Sequence, residues 1–281
     1  MPAFVMLLRY FAALLVLGLL HARAIPLQRT SSDRLTARIV VGGKTADLQL
    51  DTGAAISVLD AEFANAARLK RSGTGKIYAP HSVVESSLAK ATVVIPGSKM
   101  KAARFHIADL RRIDPGLIGE GDVVHGILGS DILHRISGTL RIKRRELAID
   151  DLAPDTPDGT DMIRLKYQHG LGYVGTVRFG GIDARALIDT GAVTTRITTP
   201  LARQLAAELK IDEAGNTYAV LESVSVGRLK IYNVPVLVIG PSPGSDEYPR
   251  MKSVTAYVGM DLLMAIDAEI DLREPRLRFR L

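Results

Sequence analysis

The sequence predicts a mostly β protein built from two homologous lobes with short helices. Three observations predict it. One stretch occurs twice, as Leu50-Asp51-Thr52-Gly53-Ala54-Ala55-Ile56-Ser57-Val58-Leu59 and as Ile188-Asp189-Thr190-Gly191-Ala192-Val193-Thr194-Thr195-Arg196-Ile197. Each copy is preceded, at the same distance, by a Gly-Gly pair (Gly42-Gly43 and Gly180-Gly181) that ends an apolar run. Each half later repeats a second signature, Leu128-Gly129-Ser130-Asp131-Ile132-Leu133 and Val258-Gly259-Met260-Asp261-Leu262-Leu263. A long-period repeat of this kind describes two copies of one unit.

The elements follow in order. Residues 25–32 read as an extended arm. Residues 34–41 alternate and are rich in β-branched side chains, which predicts a strand. Gly42-Gly43 suits a two-residue hairpin turn, and 44–51 is the return strand. Asp60 is placed to cap a helix over 61–69. Residues 72–80 read as a Gly-rich loop, followed by strand-like runs at 83–84, 88–95 and 104–108. Residues 138–142 and 146–149 predict a hairpin that closes the first half. Residues 151–160, with two prolines and a glycine, are the expected linker. The second half repeats this order, with Thr199 and Pro200 opening a helix through Leu209, a strand at 234–239 and a strictly alternating tail over 276–281.

Composition narrows the function classes. The 281 residues carry a net charge of +6, with no cysteine. Disulfides and thiolate chemistry are therefore excluded. The basic residues are scattered, aromatics are only 5% and Trp is absent, so no nucleic-acid partner is expected. No His/Glu cluster has metal-ligand spacing, and no cofactor is implied. Gly170-Leu171-Gly172-Tyr173-Val174-Gly175 spells a dinucleotide fingerprint, but it leads into a predicted strand rather than a helix. The N-terminus reads as an address: Arg9, an apolar run over 10–20, then Ala22-Arg23-Ala24 as a cleavage site. Residues 1–24 are thus an expected signal peptide, and the protein is expected to be periplasmic or secreted with no stable membrane insertion after cleavage. An uncleaved signal segment acting as an anchor is the alternative.

With its hydrophobic-Asp-Thr-Gly-Ala-x-x-Ser/Thr-x-hydrophobic and hydrophobic-Gly-x-Asp-hydrophobic-Leu motifs, each half resembles a retropepsin-type aspartic protease lobe of the pepsin/retropepsin superfamily. The resemblance covers nearly all of 34–281, in the form of a two-lobed, exported bacterial type. It implies a bilobal acid-protease fold of two retropepsin-like β-barrel lobes (25–150 and 161–281). The cleft between them would hold an extended peptide, in a chain active as a monomer. It also implies catalysis by Asp51 and Asp189, which share a proton because two close carboxylates cannot both ionise, a rule aspartic proteases exemplify. By the same resemblance Thr52 and Thr190 brace the two loops. Gly53, Ala54, Gly191 and Ala192 bring backbone amides to the carboxylates, and Gly129 and Gly259 pack beneath them. A peptide-binding module that does not cleave is the alternative reading.

Departures from the family carry expectations of their own. Val58 and Arg196 occupy equivalent pocket positions, so the cleft should be asymmetric, with a subsite at Arg196 for an acidic side chain. Ala54 and Ala192 stand where pepsins carry a hydroxyl that favours the ionised carboxylate. The expected pH optimum is therefore between about 4.5 and 6.5 rather than about 2. Residues 72–78, with Tyr78, and 215–218, with Tyr218, are the candidate flaps over the substrate.

Overall fold

The computed structural model describes residues 24–79, 82–95, 98–149, 159–240 and 253–280. The expected signal peptide (apart from Ala24) and most of the expected linker lie outside these residues. The first half contains β1 (Ala24–Arg29), β2 (Leu35–Val41), β3 (Lys44–Asp51), β4 (Val58–Asp60), α1 (Ala61–Ala66), β5 (Arg71–Tyr78), β6 (Val83–Ile95), β7 (Ser98–Ala108), α2 (Leu110–Ile113), β8 (Gly126–Gly129), α3 (Ser130–Leu133), β9 (Gly138–Arg141) and β10 (Glu146–Ile149). The second contains β11 (Thr160–Arg164), β12 (Lys166–Gln168), β13 (Gly172–Phe179), β14 (Ile182–Ile188), β15 (Arg196–Thr198), α4 (Thr199–Gln204), β16 (Lys210–Ile211), β17 (Thr217–Val226), β18 (Leu229–Ile239), β19 (Ala256–Val258), α5 (Met260–Ala265), β20 (Glu269–Asp271) and β21 (Arg276–Arg280).

The repeat in sequence is a repeat in topology. In the first lobe β2-β3-β8-β4-β7-β6 are neighbours, and a β2–β6 pairing closes them into a six-stranded barrel. In the second, β13-β14-β19-β15-β18-β17 run in the same order and close through β13–β17. The corresponding parallel ladders, β3 with β8 and β14 with β19, match as well. Both Gly-Gly pairs take positive φ, +61° and +83° at Gly42 and Gly43, the conformation a two-residue hairpin with right-handed twist requires.

The lobes share one more sheet. Strands β11-β21-β20-β9-β10-β1 form an antiparallel six, half from each lobe, and the seam between halves is the β9–β20 ladder that pairs Leu140 with Ile270. Both side chains are fully buried. Around the seam Arg141 reaches Glu146 at 2.6 Å and Glu269 at 3.6 Å, and Arg278 Nη2 donates to Thr139 Oγ1 at 3.4 Å. The apolar core is accordingly continuous across the lobes, from Leu50 to Ile188 and from Leu140 to Ile270. The arm expected over 25–32 is β1, which divides its pairing between β10 and β2 and buries Ile25 and Leu27.

Three local expectations are corrected. Residues 72–78 are not a loop: they form β5, paired with β6 through a bulge after Arg71. Apart from Ile77, buried at 4% exposure, no residue of β5 is fully buried, so the strand shows no apolar alternation in sequence. The runs at 83–84 and 88–95 are one strand, β6. The helix after the second Asp motif spans only Thr199–Gln204. Thr198 is its N-cap, while the Thr199 hydroxyl donates instead to Ile239 O at 3.2 Å.

Candidate active site

Each Asp arrives at the end of a parallel ladder. Asp51 is the last residue of β3, opposite Gly129, and Asp189 follows β14, its amide donating to Val258 O at 3.0 Å. Ladder pairing fixes the strand up to the carboxylate, and the Thr-Gly that follows turns the chain away. The turn places two amides on one oxygen. Gly53 N and Ala54 N donate to Asp51 Oδ1 at 2.9 and 2.8 Å, and Gly191 N and Ala192 N donate to Asp189 Oδ1 at 3.0 and 3.1 Å.

The two loops interlock through their threonines. Thr52 Oγ1 donates to Ile188 O at 2.7 Å and accepts from Thr190 N at 3.1 Å. Thr190 Oγ1 donates to Leu50 O at 2.8 Å and accepts from Thr52 N at 3.0 Å. Both threonines are fully buried, and each hydroxyl uses its donor and an acceptor across the lobe boundary. Gly53 and Gly191 let the loops meet: a Cβ on Gly53 would overlap the Asp189 carboxylate, and one on Gly191 would overlap that of Asp51. The carboxyls of Asp51 and Asp189 thereby face one another across the lobe boundary, close enough for each to bear on the other's titration.

Electrostatics make the pair unequal. Burial, then the charge of Asp189, push the Asp51 carboxyl well above the ordinary carboxylate range. Burial also raises Asp189, but Arg196 opposes it most strongly, followed by the Gly191 and Ala192 amides. The two carboxyls titrate as one coupled pair, with the Arg196 charge favouring ionisation on the Asp189 side.

A second layer repeats in each lobe. Ser57 Oγ donates to Asp131 Oδ1 at 2.6 Å and accepts from Gly129 N at 2.9 Å; Thr195 Oγ1 donates to Asp261 Oδ1 at 2.6 Å and accepts from Gly259 N at 3.1 Å. Ser130 N and Met260 N reach back to Ala54 O and Ala192 O at 2.7 and 2.8 Å. A Cβ on Gly129 would meet Ile56 O at 2.5 Å, which explains the glycine. The sequence contained this layer as a co-repeating hydroxyl and Gly-x-Asp, but no role for Asp131 or Asp261 follows from spacing alone. Gly172 went unread as well. It opens β13 with φ of +123°, and a Cβ there would meet Thr52 O of the other lobe at 2.5 Å.

The pocket candidates divide. Arg196 acts on Asp189 and stands opposite Tyr257 in the β15–β19 ladder, where Tyr257 feels the charges of both. In the first lobe the equivalent pair is Val58 and Ile127. Val58 is only 2% exposed, within an apolar cluster of Ile77, Val84, Leu110, Leu117 and Ile127. Tyr78, exposed, ends β5 opposite Val83 of β6. Tyr218 pairs with Lys210 and Leu237 in β17. The two hairpins differ in length: β5 has eight residues and β16 two.

The aspartyl protease family model matches residues 36–132, the stretch from β2 through α3 that holds Asp51, Ser57 and Gly129. Over residues 36–132 the chain is thus similar to aspartyl proteases. The second lobe carries the same Asp-Thr-Gly-Ala and Gly-x-Asp elements on the same strand order. A search of curated proteins found no match.

Proposed function

We propose that the protein is an aspartic endopeptidase in which one chain supplies both halves of the site, with Asp51 and Asp189 as the catalytic dyad. The observation that carries this reading is the facing carboxylate pair, one from each lobe, each against the glycine of the opposite loop and locked by the reciprocal Thr52 and Thr190 bonds. Asp189, ionised beside Arg196, takes a proton from a water as its oxygen bonds to the scissile carbonyl carbon. Asp51 donates its proton to the carbonyl oxygen. Collapse of the tetrahedral gem-diol breaks the C–N bond as the proton held by Asp189 passes to the leaving nitrogen, and Asp51 recovers its proton from a gem-diol hydroxyl as the carboxyl product forms. General acid–base transfer of this kind is worth about 10²–10⁴-fold per group.

The longer β5–β6 hairpin is the flap in this reading. The substrate is an extended peptide, and the subsite beside Arg196 and Tyr257 accepts an acidic side chain, in contrast to the apolar wall at Val58 and Ile127. The chain acts as an exported monomer, periplasmic or secreted, with residues 1–24 removed.

A peptide in which a hydroxyethylene replaces the scissile amide mimics the tetrahedral intermediate. We expect wild type to cleave a broad peptide mixture near pH 5 and this analogue to inhibit competitively. Silence of the wild type on that mixture across pH 3 to 8, with peptides still bound, would instead identify a binding module. For specificity, Arg196→Val should remove a preference for acidic residues across a peptide library; an unchanged preference would sink the acidic-subsite reading.

A further inference from the structure

The floor of the first lobe holds a buried cation. Arg34 precedes β2, and its side chain is 9% exposed. Nη2 donates to Asp114 Oδ2 at 2.7 Å, while Nε and Nη1 are buried with no hydrogen-bond partner among the described residues. The β2–β3 ladder pairs Thr36 with Gln49, and the same register carried two steps on sets position 34 opposite Asp51. Directly opposed residues share a face. Gln49 is on that face too, 2% exposed, with Nε2 3.5 Å from Asp51 Oδ2 and Oε1 buried without a partner.

The second lobe lacks all of this. Its β13–β14 ladder pairs Val174 with Leu187, which sets Gly172 opposite Asp189. Val174 and Leu187 belong to an apolar cluster with Leu171 and Val254. Asp51 therefore sits over a polar, cationic floor and Asp189 over an apolar one.

We propose that Arg34, anchored by Asp114, is a positioning residue for Asp51 that sets the charge state of the acid side of the site. The inference rests on the dyad reading above. The groups facing Asp51 are Asp189 from the opposite lobe, Arg34 and Gln49 from its own ladder, and the Gly53 and Ala54 amides. Asp114 backs Arg34, and Arg196 acts from the Asp189 side. Against the upward push of burial and Asp189, the Ala54 amide and then the Arg34 charge pull the Asp51 carboxyl back down. With no Asp114 behind it, the guanidinium would favour the ionised form of Asp51 more strongly. Asp114 moderates it.

The two partners of the Arg34–Asp114 pair should act in opposite directions. Arg34→Met removes a positive charge and leaves a negative one, so the upper pKa of the pair should rise by about 0.5–1 unit. Asp114→Asn unmasks the guanidinium, so the same pKa should fall by about 0.5 unit. Arg34→Lys should restore most of the wild-type value. The readouts are the carboxyl carbon NMR titration of Asp51 in the intact protein and the alkaline limb of the kcat/KM profile. Opposite shifts support the proposal. Unchanged titrations in both variants, or shifts in the same direction, would overturn it, because a purely structural role has no reason to follow the sign of the charge. Should Arg34→Met fail to fold by circular dichroism, the exposed-side variant Asp114→Asn decides. The NMR titration needs no turnover, so failure of the peptidase reading and failure of this inference are separately visible.

Discussion

Thr190 holds two buried groups of the opposite lobe in place with one hydroxyl, and a near-isosteric Thr190→Val shows what that is worth. The variant leaves Leu50 O without its donor and Thr52 N without its acceptor, both buried at the lobe boundary. An unsatisfied buried group costs about 1–3 kcal/mol, so urea denaturation should show a loss of about 2–4 kcal/mol, while Thr190→Ser stays within about 1 kcal/mol of wild type. Asp51 behaves in the opposite sense. Its folded-state pKa is raised, so the proton stabilises the fold fully below the unfolded carboxylate pKa, and that stability is lost as pH rises through the folded value. Asp51→Asn should therefore raise the melting temperature at pH 7, with the gain vanishing toward pH 3; a gain that grew on acidification would contradict the burial of an ionising pair. At this scale the sequence was readable where a residue repeats. Asp51 and Asp189, their threonines and their glycines stand out because each appears twice in one context. Arg34 and Gly172 do not repeat, and their meaning depends on which residue lies across a ladder.

Elements were legible where the chemistry of the turn or the period was strong. The Gly-Gly hairpins, β3 up to Asp51 and the Asp60 cap, whose carboxylate accepts from Glu62 N at 2.8 Å, are all readable in the sequence. Strand β5 was not, because Arg71–Tyr78 offers glycines, Ser, Thr and Lys to solvent and is held by pairing with β6 rather than by burial. The start of β13 gives the sharpest element-level test. Gly172→Ala must adopt a φ of +123° and meets Thr52 O across the boundary. Strain of this kind costs about 1–3 kcal/mol and overpacking about as much again. We expect a loss of at least about 2 kcal/mol in denaturation, with activity falling further than stability because the displaced group is the Thr52 loop itself. Full activity in Gly172→Ala would show that the loop tolerates displacement.

The molecule as a whole is two copies of a barrel joined by a shared sheet, and the sharing has a thermodynamic consequence. The β9–β20 seam and the single core from Leu140 to Ile270 leave neither lobe a complete surface of its own. Thermal unfolding should therefore be one transition by both near-ultraviolet dichroism and activity, and Ile270→Ala should lower it in a single step, at a cost of about 2–5 kcal/mol. Two separated transitions would show independent lobes. The two-lobed plan could be read from sequence because both motifs recur in order. The seam could not, since β9 and β20 are short strands whose partner is far along the chain.

The raised carboxyls also predict a bell-shaped rate profile with its maximum between about pH 4.5 and 6.5, both limbs belonging to the pair. The central claim, that Asp51 and Asp189 form one catalytic unit contributed by two lobes, is tested most directly by the single variants Asp51→Asn and Asp189→Asn. Peptide cleavage by each is measured by mass spectrometry at the pH optimum, beside folded wild type. The account predicts that each substitution alone lowers kcat/KM by at least about 10³-fold, and that the double variant is no worse than either. Substantial cleavage by either single variant would contradict it.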